Sequence, residues 1–139
     1  MNARKISALL LAVLMLFTVA SCAKEDATGL WENAIYTEDK AFGNGSVTFE
    51  VEVIAEERSV TFTVSSDKTT LGDALMEHGL IEGTPGAYGL YIDSVNGIIA
   101  SWDADQAWWG ISVGGATATT GIDGITPENG AHYELTYTK

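Results

Sequence analysis

The sequence predicts an α+β domain: a β-grasp-like fold in which a small mixed or antiparallel sheet carries one short helix packed on one face. Three observations lead there. Val47 to Val53 and Val60 to Val64 alternate apolar and polar residues, the period of strands with one buried and one wet face. Leu71, Ala74, Leu75 and His78 fall at helical spacing. Beyond Tyr88 the chain breaks into short strand-like runs separated by Asn-Gly and Gly-Gly turns. Two strands, a helix and then more strands is an α+β order.

Taken in order, the chain opens with Arg4 and Lys5 and an almost wholly apolar run from Ile6 to Ala20. That is the pattern of a secretory signal, short for a permanent membrane span. Val19-Ala20-Ser21-Cys22 resembles a bacterial lipobox: a branched residue, two small residues and the only cysteine. In that motif the cysteine sulfur takes a diacylglycerol and becomes the mature N-terminus, and two acyl chains suffice for stable attachment. The expected organisation is a signal peptide over 1–21, a lipidated tether and aromatic lead-in over 22–46, and a domain over 47–139. The expected location is the cell membrane, lipid-anchored on its extracytoplasmic face. Loss of Arg4 and Lys5 takes the net charge from −12 to −14. So acidic a surface repels nucleic acid and anionic headgroups, which leaves attachment to the lipid. One cysteine permits no intramolecular disulfide.

Within the lead-in, Trp31 and Tyr36 are read as padding on the outside of the domain, because aromatics bury large areas wherever they land. The two alternating runs form a hairpin across the charged connection Ala55 to Ser59. Thr70 caps the helix, with Asp73 three residues on, and Gly79 ends it. Leu80 to Ala87 reads as a glycine- and proline-bearing loop, and Tyr88 to Ser94 as a strand. Val95-Asn96-Gly97-Ile98 is the strongest hairpin signal, since Asn-Gly takes positive φ angles at little cost. A return strand from Ile98 to Trp102 leads into a turn at Asp103-Ala104-Asp105 and then a strand over Trp108 to Val113. Gly114-Gly115 turns that strand into Ala116 to Ala118. A glycine-rich loop from Thr119 to Gly130 precedes the last strand, His132 to Thr138, with Tyr133, Leu135 and Tyr137 on one face.

Three of the four tryptophans stand between positions 102 and 109. Strand alternation puts Trp109, Ile111 and Val113 on one side and Trp108, Gly110 and Ser112 on the other. Trp109 is then core. Trp108, with Trp102, Tyr88 and Tyr91 near it, forms a candidate aromatic platform for a flat or amphipathic ligand, and Gly110 lets bare backbone approach it. The plain alternative packs Trp108 beneath the Trp31 to Tyr36 segment. Asp103 and Asp105 with Asp93 and Asp123 read as solvated acidic turns, having too few spaced ligands for calcium. His78 reads as a helix-end cap and His132 as a strand start. No Cys, His or Glu is spaced beside either for a metal, so no metal ligand is assigned. Catalytic residues are likewise not assigned: no nucleophile–base motif and no phosphate loop is present, and the expected activity is non-enzymatic.

Several stretches together are similar to one family. Trp31 to Asp39, Thr70 to Leu75, Tyr88-Gly89-Leu90-Tyr91, Val95 to Ile98, Trp108 to Gly115 and Tyr133 to Tyr137 resemble, in order and spacing, the bacterial transcobalamin-C-terminal-like domain. The resemblance covers Leu30 to Lys139. That family is found in lipoproteins and surface proteins and is largely of unknown function. It implies similarity to the smaller domain of cobalamin carriers, which covers one face of the corrinoid while a helical domain, absent here, covers the other. Cobalamin or another corrinoid is therefore the implied ligand, with another small molecule as the alternative; no cofactor is required, and a partner domain could complete the site. The competing expectation is a surface protein-interaction or structural module whose aromatic face docks a partner and binds no small molecule.

Overall fold

The computed structural model describes residues 28–139; the expected signal segment and the lipobox-like stretch with Cys22 lie outside the described residues. Strands β1 (Lys40–Phe42), β2 (Val47–Ala55) and β3 (Arg58–Ser66) come first, followed by helix α1 (Leu71–Glu77). Strands β4 (Ile81–Gly86), β5 (Gly89–Val95) and β6 (Ile98–Ile99) lead to a one-turn helix α2 (Trp102–Asp105). Strands β7 (Trp108–Val113), β8 (Ala116–Thr117) and β9 (His132–Thr138) complete the order. The fold is α+β. One six-stranded sheet runs β1-β3-β2-β9-β7-β8, and a second, three-stranded sheet runs β4-β5-β6. The β2–β3 hairpin is antiparallel, β9 lies parallel to β2, and β7 lies antiparallel to β9, a β-grasp-like centre.

Alternation builds the core. Phe49, Val51, Val53 and Ala55 of β2 and Val60, Phe62 and Val64 of β3 are buried on one face. Leu71, Ala74 and Leu75 of α1 are buried with them, and so are Trp109, Tyr133 and Leu135. Each large side chain so placed contributes about 1.5–3 kcal/mol of burial free energy. The Thr70 hydroxyl accepts the Asp73 N–H at 3.1 Å, which caps α1 as the sequence predicts. Asn96 (φ 52°) and Gly97 (φ 79°) make the expected tight turn between β5 and β6.

Four local expectations change. Leu80 to Ala87 is not all loop, because Ile81–Gly86 pairs with β5 as an edge strand. An edge position tolerates Pro85, whose missing N–H would break a central ladder, and the register shifts at Glu82/Gly83. The strand predicted to run from Ile98 to Trp102 stops at Ile99. In its place Ser101 accepts the Ala104 N–H and starts α2, so Asp103-Ala104-Asp105 is helical and not a simple turn. The hairpin connection shrinks to Glu56 and Glu57. Finally, Trp31 is more than padding: it is buried, and its indole N–H donates to the Ala55 carbonyl at 2.9 Å. The Arg58 guanidinium lies 4.9 Å from the Trp31 ring centre, and β1 pairs with β3, so residues before Val47 contribute to the same core.

Candidate functional site

Because side chains alternate, the face of the large sheet opposite the core is set by the same register that builds the core. It carries Glu50 and Glu52 from β2, His132, Glu134, Thr136 and Thr138 from β9, and Trp108, Gly110 and Ser112 from β7. Trp109 is 6% exposed and Trp108 44%, as alternation requires. The alternative burial of Trp108 beneath the N-terminal aromatics does not occur; Trp31 is used in the core instead. A Cβ at Gly110 would stand 3.3 Å from Cζ3 of Trp108 and 3.6 Å from Oγ1 of Thr138. Glycine there leaves room for the Trp108 ring to lie along the strand.

The predicted aromatic residues form two groups. Tyr91 of β5 and Trp102 of α2, both exposed, line a groove of ≈ 310 Å³ with Asp93, Ile99, Ala100, Ser101 and Asp103. Trp108 and Gly110 lie together on the open sheet face and do not line that groove. Tyr88, 99% exposed in the β4–β5 turn, lines it no more than they do. The acidic turns do other work. The Asp93 carboxylate accepts the Thr84 hydroxyl at 2.6 Å, Asp123 accepts the Leu90 N–H at 2.8 Å, and Asp105 lies 3.6 Å from the Lys139 ammonium. His78 follows α1 with its ring 5.7 Å from Phe42. It lines a second cavity of ≈ 290 Å³ that includes Asp67, whose carboxyl is held below its ordinary range by the Ser46 N–H.

The open face also holds a group that sequence spacing missed. His132 Nδ1 lies 3.1 Å from Glu50, and its Nε2 lies 3.1 Å from Glu52 and 3.9 Å from Glu134. The hydrogen bond to Glu50 raises the His132 pKa above the ordinary imidazole value; partial burial opposes this, and Glu52 adds to it. These partners are far apart in sequence, and the parallel β2–β9 register (Glu50↔His132, Glu52↔Glu134) brings them together. The wet-face alternation of Glu50 and Glu52 was a usable signal, but which strand lay beside them was not. Glu52, His132 and Glu134 can each offer a ligand atom, and all three atoms lie within 4.8 Å of one another.

Residues 68–139 match the family described as a domain of unknown function, DUF4430. A solved structure from Ruminococcus gnavus, provisionally described as a metal binding protein, is 32% identical, with a TM-score of 0.64 over 68% of this chain and 98% of that one. Haptocorrin in complex with Cbi is similar with a TM-score of 0.55 over 70% of this chain and 26% of its own, at 19% identity, a likeness of fold. No curated protein sequence matches the chain.

Proposed function

The chain belongs to the DUF4430 family, and we propose that it is an extracytoplasmic lipoprotein, anchored through Cys22, whose domain binds a small ligand without catalysis. The groove between Tyr91 and Trp102 carries this reading: two exposed aromatic side chains flank a cavity of ≈ 310 Å³ with Asp93 and Asp103 at its polar edge. Such a cavity, at the small end of ligand sites, takes the edge of a flat amphipathic molecule. A corrinoid is the first candidate. The fold likeness to haptocorrin and the sequence resemblance to transcobalamin-C-terminal-like domains both support it. Among the described residues no helix is long and apolar enough to cross a membrane.

The test is a titration of the full chain in detergent with cobinamide and cobalamin, followed by thermal shift and tryptophan fluorescence. Trp102→Ala should weaken binding about tenfold or more, the ordinary cost of removing a packed aromatic anchor. Equal affinity in variant and wild type rejects the groove. Absence of any thermal shift at saturating corrinoid rejects the corrinoid and leaves the aromatic face to a partner protein.

Metal binding is the second reading. The Ruminococcus gnavus relative is provisionally described so, and here His132 stands among three carboxylates.

A further inference from the structure

We infer that Glu52, His132 and Glu134 bind one divalent transition-metal ion of the Zn²⁺ class on the open face of the large sheet. This rests on the metal reading above and names its residues. Tetrahedral zinc with bonds of 2.0–2.2 Å sets its ligand atoms about 3.3–3.5 Å apart. The His132 Nε2 separations of 3.1 Å from Glu52 and 3.9 Å from Glu134 bracket that spacing, so small side-chain adjustments close the site. The backbone is already placed, because the ligands stand on two adjacent strands in the middle of a sheet and not on a loop.

Glu50 completes the arrangement. It sits 3.1 Å from Nδ1 of His132, placed to accept that nitrogen's proton once Nε2 is given to the ion. A carboxylate behind a ligating histidine is the usual outer support of such sites. Charge points the same way. Glu50, Glu52 and Glu134 crowd one patch, and among the described residues no lysine or arginine pairs with them. Like charges on neighbouring strands repel. A dication beside a neutral imidazole leaves one net negative charge, where a protonated imidazole alone leaves two. One nitrogen and two carboxylates are too few oxygens for calcium, and imidazole suits zinc and its neighbours. Three protein ligands leave a position open towards solvent, where water or an anionic group can bind.

The experiment strips the full chain in detergent with a chelator, then titrates it with ZnCl₂ by calorimetry while the two histidine rings are followed by NMR. One equivalent of Zn²⁺ should saturate the chain, and the ring signals of His132 should move while those of His78 stay fixed, a readout that needs no variant. His132→Ala should abolish binding, Glu134→Gln should weaken it tenfold or more, and Glu50→Gln, acting through His132, should weaken it about 10–100-fold. No Zn²⁺ uptake by wild type rejects both the metal reading and this site. Uptake that survives His132→Ala, or that moves only His78, keeps the metal reading and rejects these residues. Preference for Ca²⁺ over Zn²⁺ rejects the metal class.

Discussion

Replacing Asn96 with alanine should cost the fold about 3 kcal/mol. The side chain is wholly buried and joins two parts of the chain sixty residues apart: its carbonyl accepts the Tyr36 N–H at 2.9 Å and its amide donates to the Tyr36 carbonyl at 2.8 Å. Two lost hydrogen bonds amount to about 2 kcal/mol. Asn96 also holds a φ of 52°, where an ordinary side chain costs about 1 kcal/mol and asparagine little. Asn96→Gly loses the same bonds without that strain, so it should cost about 1 kcal/mol less than alanine. The Asn96 main chain keeps its own bonds, to Ile35 N–H and Leu80 carbonyl, in both variants. Urea unfolding followed by circular dichroism and tryptophan emission measures both; with a slope of about 1.5 kcal/mol/M the alanine midpoint should fall by roughly 2 M. A loss under about 1 kcal/mol, or equal losses for alanine and glycine, would refute the reasoning.

Two other perturbations test the fold and the open face. Thr70→Ala removes the cap on the Asp73 N–H and should lower stability by about 1 kcal/mol in thermal melts, with Thr70→Ser near wild type; an unchanged melt would mean the cap contributes nothing. In chelator-containing buffer, His132 should make stability depend on pH. Its folded pKa is raised, so its contribution is complete below about pH 6.5, the unfolded value, and is lost as pH climbs through the raised folded value. Its partial exposure keeps the effect under about 1 kcal/mol. His132→Asn should flatten that slope, and a slope that persists in the variant assigns it to another group.

Local pattern reached the hairpin, α1, the Asn96-Gly97 turn and the β7 strand, because each is encoded within a few residues. It separated Trp108 from Trp109 on period alone. It did not reach β4, where Gly83 and Pro85 read as punctuation and only pairing with β5 makes a strand. Nor did it reach α2, a single turn that the Ser101 hydroxyl caps and two backbone hydrogen bonds close. Asn96 was read as a turn residue and is also a clamp on Tyr36, a role that depends on the three-dimensional path of the lead-in. The His132 group was illegible for the same reason: His132 and Glu50 stand 82 positions apart, and no local rule states that β9 runs beside β2. The groove was half legible, with Tyr91 and Trp102 united and Trp108 and Tyr88 left elsewhere.

The place of β9 has a consequence in time. It lies between the β2–β3 hairpin and the β7–β8 hairpin, and it bonds to both. Each hairpin can zip locally within microseconds, yet the two halves of the sheet remain unconnected until β9 enters between them. The pairing of β9 with β2 closes a loop of some eighty residues, against roughly twenty to thirty for its pairing with β7. The β2–β9 pairing is therefore the most non-local part of the large sheet, and the carboxylate–histidine group on its open face exists only where that pairing is made.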